Sequence, residues 1–157
     1  MTKRSVTHAT IAIERTYDAS PARVFAAWAD PAAKARWFAG PEGWETTAFE
    51  MDFRVGGRER NRGGPPGGPV HTFEALYQDI VPDERIIFSY AMRLDETPIS
   101  VSLATVELAP TGDGTRLVYT EQGAFLDGFD DPSPREQGMG ELFDALEADL
   151  RRAPMGT

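Results

Sequence analysis

The sequence predicts an α+β domain in which an antiparallel meander meets one long C-terminal helix, and three observations predict it. Two short helical segments are punctuated by Ser20-Pro21 and Asp30-Pro31. From Trp44 onward the apolar pattern has period two. The stretch after Ser133 carries a single apolar stripe at helical spacing.

Taken in order, Ala9 to Tyr17 alternates, with Ile11 and Ile13 on one face, and reads as a strand. His8 falls just before it, in a segment expected to fray. Ser20 can cap a helix and Pro21 suits its first position, where no N–H is needed. Val24, Phe25 and Trp28 follow at helical spacing. Asp30-Pro31 opens a second short helix through Trp37-Phe38, closed by Gly40-Pro41.

Strands are expected at 44–53, 57–62, 70–81, 85–94, 99–109 and 115–122. Turn residues separate most of them: the Gly/Pro run at 63–69, Pro82-Asp83, Asp95 to Pro98, and Gly112-Asp113-Gly114. Such short connectors imply antiparallel neighbours, since parallel ones need long crossovers. Ser133-Pro134-Arg135-Glu136 has the form of a capping box. Met139, Leu142, Phe143, Leu146 and Leu150 then mark the buried helical face. Arg151 and Arg152 suit the negative end of the helix dipole. The sheet is the one large surface on which that stripe can lie.

The 157 residues read as one domain, 41% apolar and 26% charged, with no internal repeat or linker. A net charge of -9 argues against nucleic acid or an anionic membrane surface as the main partner. Without cysteine there is no disulfide, thiol nucleophile or zinc knuckle. The first residues alternate and lack the apolar core of a signal peptide, and no apolar run approaches the ~20 residues of a membrane span. The expectation is a cytoplasmic protein without a membrane span. An unprotected edge strand would allow homodimers to form across a two-fold axis.

Several stretches carry a family resemblance: "ERTYDASPARVFAAWADPAAKARWFAGP" (14–41), "FRVGGRERNR" (53–62), "ALYQDIVPDERIIFSY" (75–90), "GTRLVYTEQGAF" (114–125) and "REQGMGELFDALEADL" (135–150). In this order they resemble the SRPBCC, or START-like, helix-grip superfamily of START lipid-transfer domains and the birch-pollen allergen. The similarity is greatest to its bacterial AHSA-like branch, named for activators of a heat-shock chaperone ATPase. The resemblance implies a curved sheet of about seven strands wrapped around the C-terminal helix, with a hydrophobic cavity between them. It implies a small-molecule binding protein holding an apolar, lipid-like or amphipathic ligand. A cyclase- or hydrolase-type enzyme using the same cavity, or a chaperone-ATPase cofactor, are the alternatives; the scaffold serves all three. The chain departs from the family after "GGR", where Glu59, Arg60, Asn61 and Arg62 replace mainly apolar residues, and at Met139, where a tryptophan is usual.

Candidate cavity residues are the aromatics Trp37, Phe38, Phe49, Phe73, Tyr77, Phe88, Tyr90, Tyr119, Phe125 and Phe143, with Met51, Met92 and Met139 as adaptable lining. Any one of them can equally be ordinary core. Glu121 shares a face with Leu117 and Tyr119, which would put a carboxylate in the interior. A buried carboxylate needs a partner, and Arg60, Tyr90 or His71 are the candidates. His71 shares a face with Phe73, Ala75 and Tyr77 and titrates near neutrality, so Glu121 and His71 are the candidates for acid–base work.

No nucleophile motif, metal-ligand spacing or cofactor fingerprint is present. Gly56-Gly57 follows a strand, but the helix N-terminus that would hold phosphate does not follow it. The stretch "RVGGRERNRGGPPGGP" (54–69) maps to the third strand and a hairpin tip. Polar on both faces, this strand is expected to project beyond the sheet or border a polar cavity mouth. There Arg60 would hold the anionic end of a ligand or pair with local carboxylates. Gly138 and Gly140, inside the last helix, imply close packing against a strand, a flexible entrance, or simply fraying of the first turns.

Overall fold

The computed structural model describes residues 4–152. Their order is β1 (Val6–Tyr17), α1 (Pro21–Ala29), α2 (Pro31–Trp37), β2 (Glu45–Met51), β3 (Arg58–Gly64), β4 (His71–Val81), β5 (Arg85–Leu94), β6 (Thr97–Thr111), β7 (Gly114–Leu126) and α3 (Pro132–Arg152). The seven strands form one antiparallel sheet in the order β1-β7-β6-β5-β4-β3-β2. With two short helices after β1 and a long helix packed at the end, this is the helix-grip fold.

Both short helices form as their caps dictate. The Ser20 side chain accepts the Arg23 N–H, and that of Asp30 accepts the Ala32 N–H. α1 buries Val24, Ala27 and Trp28; α2 buries Ala33, Lys34 and Trp37. The indole of Trp37 donates to the Ala27 carbonyl at 2.9 Å, and its ring meets that of Trp28 edge-on. The two helices are thereby fixed to each other.

Three of the boundaries that differ from the sequence reading have a physical reason. β1 begins at Val6, so exposed His8 lies within a strand, paired to Ala124 across β7. β7 runs on to Leu126 because Gly123 is a place of close approach rather than a strand end. A Cβ there would sit 2.9 Å from the Phe125 ring and 3.1 Å from the Ser102 hydroxyl. α3 starts at Pro132, and its cap is Asp131: the carboxylate accepts the Ser133 N–H at 3.1 Å. Asp131-Pro132 repeats the punctuation of Asp30-Pro31, so Ser133 lies inside the first turn instead of capping it.

The core fills the concave side of the sheet. Met139, Phe143, Leu146 and Leu150 of α3 are buried and Leu142 is partly buried, as the stripe predicts. Each large apolar side chain so covered contributes about 1.5–3 kcal/mol.

The two halves of α3 are held differently. The C-terminal half is tied to three elements. Tyr17 donates to the Phe143 carbonyl, Arg23 to the Leu150 carbonyl, and Arg36 to buried Asp149. The N-terminal half stands off β1 across a groove of about 480 Å³ lined by Ala12 to Arg15, Ser133, Glu136, Gln137 and Gly140. Gly138 has open space where a Cβ would be. Close packing therefore does not account for Gly138, and the flexible reading is the one the geometry favours.

Candidate functional site

The interior beneath α3 holds two charged clusters. Cross-strand register places them on one line. Met51 faces Glu59, Glu59 faces Ala75, Ala75 faces Tyr90, Tyr90 faces Ser102 and Ser102 faces Gly123. Two strand spacings, about 10 Å, separate Glu59 from Tyr90. On this row of the sheet Ala75 lies between them.

The first cluster is built on Glu121, which is fully buried. Its Oε2 accepts from Tyr90 at 2.7 Å, Ser102 at 2.7 Å and Arg135 at 3.0 Å; its Oε1 accepts from Tyr119 at 2.6 Å. Arg135 projects from the first turns of α3, and its side chain is one-tenth exposed. It also donates to the Tyr90 hydroxyl at 2.9 Å, the Ser100 hydroxyl at 2.7 Å and the Asp130 carboxylate. The guanidinium lies over the rings of Phe125 and Tyr90. Burial pushes the Tyr90 and Tyr119 hydroxyls far above their ordinary value, and the neighbouring Glu121 adds to this, so both stay protonated as donors. Burial alone would lower the Arg135 guanidinium. Its interactions with Tyr90, Glu121 and Asp130 outweigh that and hold it above its usual range.

The second cluster joins α2 to β3. Lys34 donates to Glu59 Oε1 at 2.6 Å, with both side chains essentially unexposed. Tyr77 donates to the same oxygen, its own hydroxyl pushed well up by burial and by Glu59. The Lys34 amine lies over the rings of Phe38 at 4.6 Å, Trp28 at 5.5 Å, Phe88 at 5.7 Å and Phe73 at 5.9 Å. Phe73 links the clusters, its ring centroid 4.8 Å from that of Tyr90.

The candidate residues separate accordingly. Tyr90, Tyr119, Phe125 and Glu121 belong to the first cluster, and Phe38, Phe73, Tyr77 and Phe88 to the second. Trp37 and Phe143 pack with Trp28, on the helix side of the core. Met139 is buried, Met51 and Met92 are partly buried against the core, and Phe49 is half-buried on β2.

Arg60 is the correction. It is exposed on β3 and faces Glu50 and Glu74 in the strand register, on the side of the sheet opposite Glu59. Arg135, which enters from the helix, is the partner of Glu121. β3 is likewise not excluded from the interior by its polarity, because Glu59 is buried against Lys34. A lysine from another element supplies the countercharge that the strand lacks. His71 is half-buried at the start of β4, its ring 4.6 Å from that of Trp44 and apart from Glu121. Burial lowers its pKa, opposed by Asp130 and Asp95.

Sequence reading missed Lys34, Glu59, Ser102 and Arg135. Lys34 lies three residues before Trp37, so it shares that helical face, and this was the available signal. Among the described residues no group of three or more His, Asp or Glu side chains could hold a metal. Nor, among the described residues, is any helix long and apolar enough to cross a membrane.

Residues 18–151 match the family described as activator of Hsp90 ATPase homolog 1-like protein. The chain belongs to this family. A protein from Rhizobium leguminosarum is 47% identical, with 97% of this chain and 100% of that one covered at a TM-score of 0.92. The Mll3558 protein from Rhizobium loti is 54% identical over 92% of this chain and 99% of that one, at 0.86. Protein CV1439 from Chromobacterium violaceum is 31% identical over 90% and 96%, at 0.76. No curated protein matches the chain.

Proposed function

We propose that this family member is a small-molecule binding protein that takes an amphipathic aromatic ligand between its sheet and α3. The observation that carries the reading is the convergence of Glu121, Arg135, Tyr90, Tyr119 and Ser102 inside an interior otherwise made of rings. Ligand sites combine apolar walls with a few placed polar groups in this way. A purely structural core has little use for such groups, because buried ion pairs are often matched or exceeded in stability by apolar packing.

Access runs beneath the first half of α3. Arg135 fastens that half to the sheet, and Gly138 and Gly140 follow within two turns. When Arg135 releases, the helix bends at the glycines and uncovers Tyr90, Phe125 and Phe73. The C-terminal half stays moored through Asp149 and the Leu150 carbonyl.

The test is a thermal-shift screen of amphipathic aromatic and lipid-like compounds, paired with mass spectrometry of organic extracts of the purified chain. A true ligand at one hundred times its Kd adds about 2.7 kcal/mol to stability. Failure of every compound to raise Tm, with extracts free of small molecules, would overturn the reading. Stimulation of a purified chaperone ATPase by the chain, undiminished by such ligands, would favour a partner-binding role instead.

A further inference from the structure

We infer that the Lys34–Glu59–Tyr77 cluster is a recognition site for an aromatic hydroxyl group, a phenol-type end of the ligand. The inference rests on the ligand-binding reading above and deepens it. Glu59 is 1% exposed, and its Oε2 has no hydrogen-bond partner among the described residues. Trp28, also 1% exposed, has an equally unpartnered indole Nε1. Both residues flank Lys34: its amine is bonded to the other oxygen of Glu59 and lies over the Trp28 ring. A buried acceptor and a buried donor left unused around one lysine are costly unless something meets them. Glu121, in the same interior, leaves neither oxygen unused.

Charge selects the class of guest. An organic cation would be repelled by Lys34, which already occupies the ring-lined position such a cation would take. An anion would meet the free oxygen of Glu59. A hydroxyl both donates and accepts, so it can give its proton to Glu59 Oε2 and receive the Trp28 N–H.

The surroundings select the body that carries it. Phe38, Phe73 and Phe88 surround the Lys34 amine and pack edge-on against one another. The roughly 10 Å between Glu59 and Tyr90, two strand spacings flanked by the Phe73 ring, matches the length of a planar body of about two fused rings.

The test uses the full chain with 2-naphthol, 2-methoxynaphthalene and naphthalene as probes, read by calorimetry. 2-Naphthol should bind at least about tenfold tighter than 2-methoxynaphthalene, which cannot donate, because a hydrogen bond to a charged group is at stake. In Lys34→Met/Glu59→Leu/Tyr77→Phe the preference should vanish while binding of 2-methoxynaphthalene persists. Equal affinity in the native chain, or a preference that survives in the variant, overturns the hydroxyl site and leaves the ligand-binding reading standing. Binding of none of the three probes also overturns the hydroxyl site, and the ligand-binding reading is then decided by the wider thermal-shift screen and the extracts.

A second measurement needs no variant. The Trp28 indole N–H resonance should move with 2-naphthol and stay in place with naphthalene. An unmoved resonance with 2-naphthol bound overturns the inference even if the variant does not fold.

Discussion

Glu121 and Glu59 are both buried carboxylates on the inner face of one sheet, yet they are satisfied in opposite ways. Glu121 spends both oxygens on Tyr119, Tyr90, Ser102 and Arg135. Glu59 gives one oxygen to Lys34 and Tyr77 and leaves the other bare. The first is a closed network that fixes the position of a helix. The second is open, with hydrogen-bonding capacity to spare. A fully satisfied buried network rigidifies, whereas a partly satisfied one has a standing cost. The difference separates a group that organises the protein from one suited to recognising something else.

The comparison can be broken experimentally. The largest effect is expected for Glu121→Leu, which leaves Arg135 and several hydroxyls buried without their acceptor. The loss should be about 3–5 kcal/mol in urea denaturation. Removing both charges in Glu121→Leu/Arg135→Met still strands the hydroxyls of Tyr90, Tyr119 and Ser102, so a loss of about 2 kcal/mol or more should remain. The matching change at the other cluster, Lys34→Met/Glu59→Leu/Tyr77→Phe, should leave stability within about 1 kcal/mol of the native chain or raise it, since apolar packing replaces the pair without stranding those hydroxyls. Equal losses at the two clusters would show that they do not differ as described.

Gly138→Ala tests the mobility of the helix that Glu121 secures. With open space at the Cβ position, alanine should add about 1 kcal/mol and slow amide exchange in the first turns of α3 about fivefold. No change in exchange would place the bend elsewhere.

The smallest effect is at His71. Its folded pKa lies below the ordinary 6.5 because burial disfavours the charged ring, with Asp130 and Asp95 opposing. Between the folded and unfolded values the unfolded chain binds more protons, so stability rises with pH across that window and is flat above it. His71→Gln should remove this slope. Asp130→Asn should move the His71 midpoint lower still in an NMR titration; an unmoved midpoint would disconnect His71 from the Arg135 side of the interior.

How much of this was legible follows the range of each signal. Capping at Ser20 and Asp30, the strand alternation and the stripe of α3 are local, and they were readable. Asp131 was readable too, from the Asp-Pro pair, but the neighbouring Ser133 carried a competing cap signal. The burial of Glu121 followed from period-two parity with Tyr119. Its partner did not, because Arg60 and Arg135 are equally good cations in sequence, and only the docking of α3 decides between them.

The sequence by itself determined the elements, their order, their antiparallel pairing and the inward face of most of them. These depend on caps, turns and periodicity within a few residues. Only the tertiary structure decided that Glu59 and Tyr90 lie on one row of the sheet, that Lys34 covers Glu59, and that Arg135 reaches Glu121. Register across strands and the approach of helices to a sheet bring together residues 14 to 31 positions apart. No local pattern encodes those meetings; they exist only once the whole core has closed.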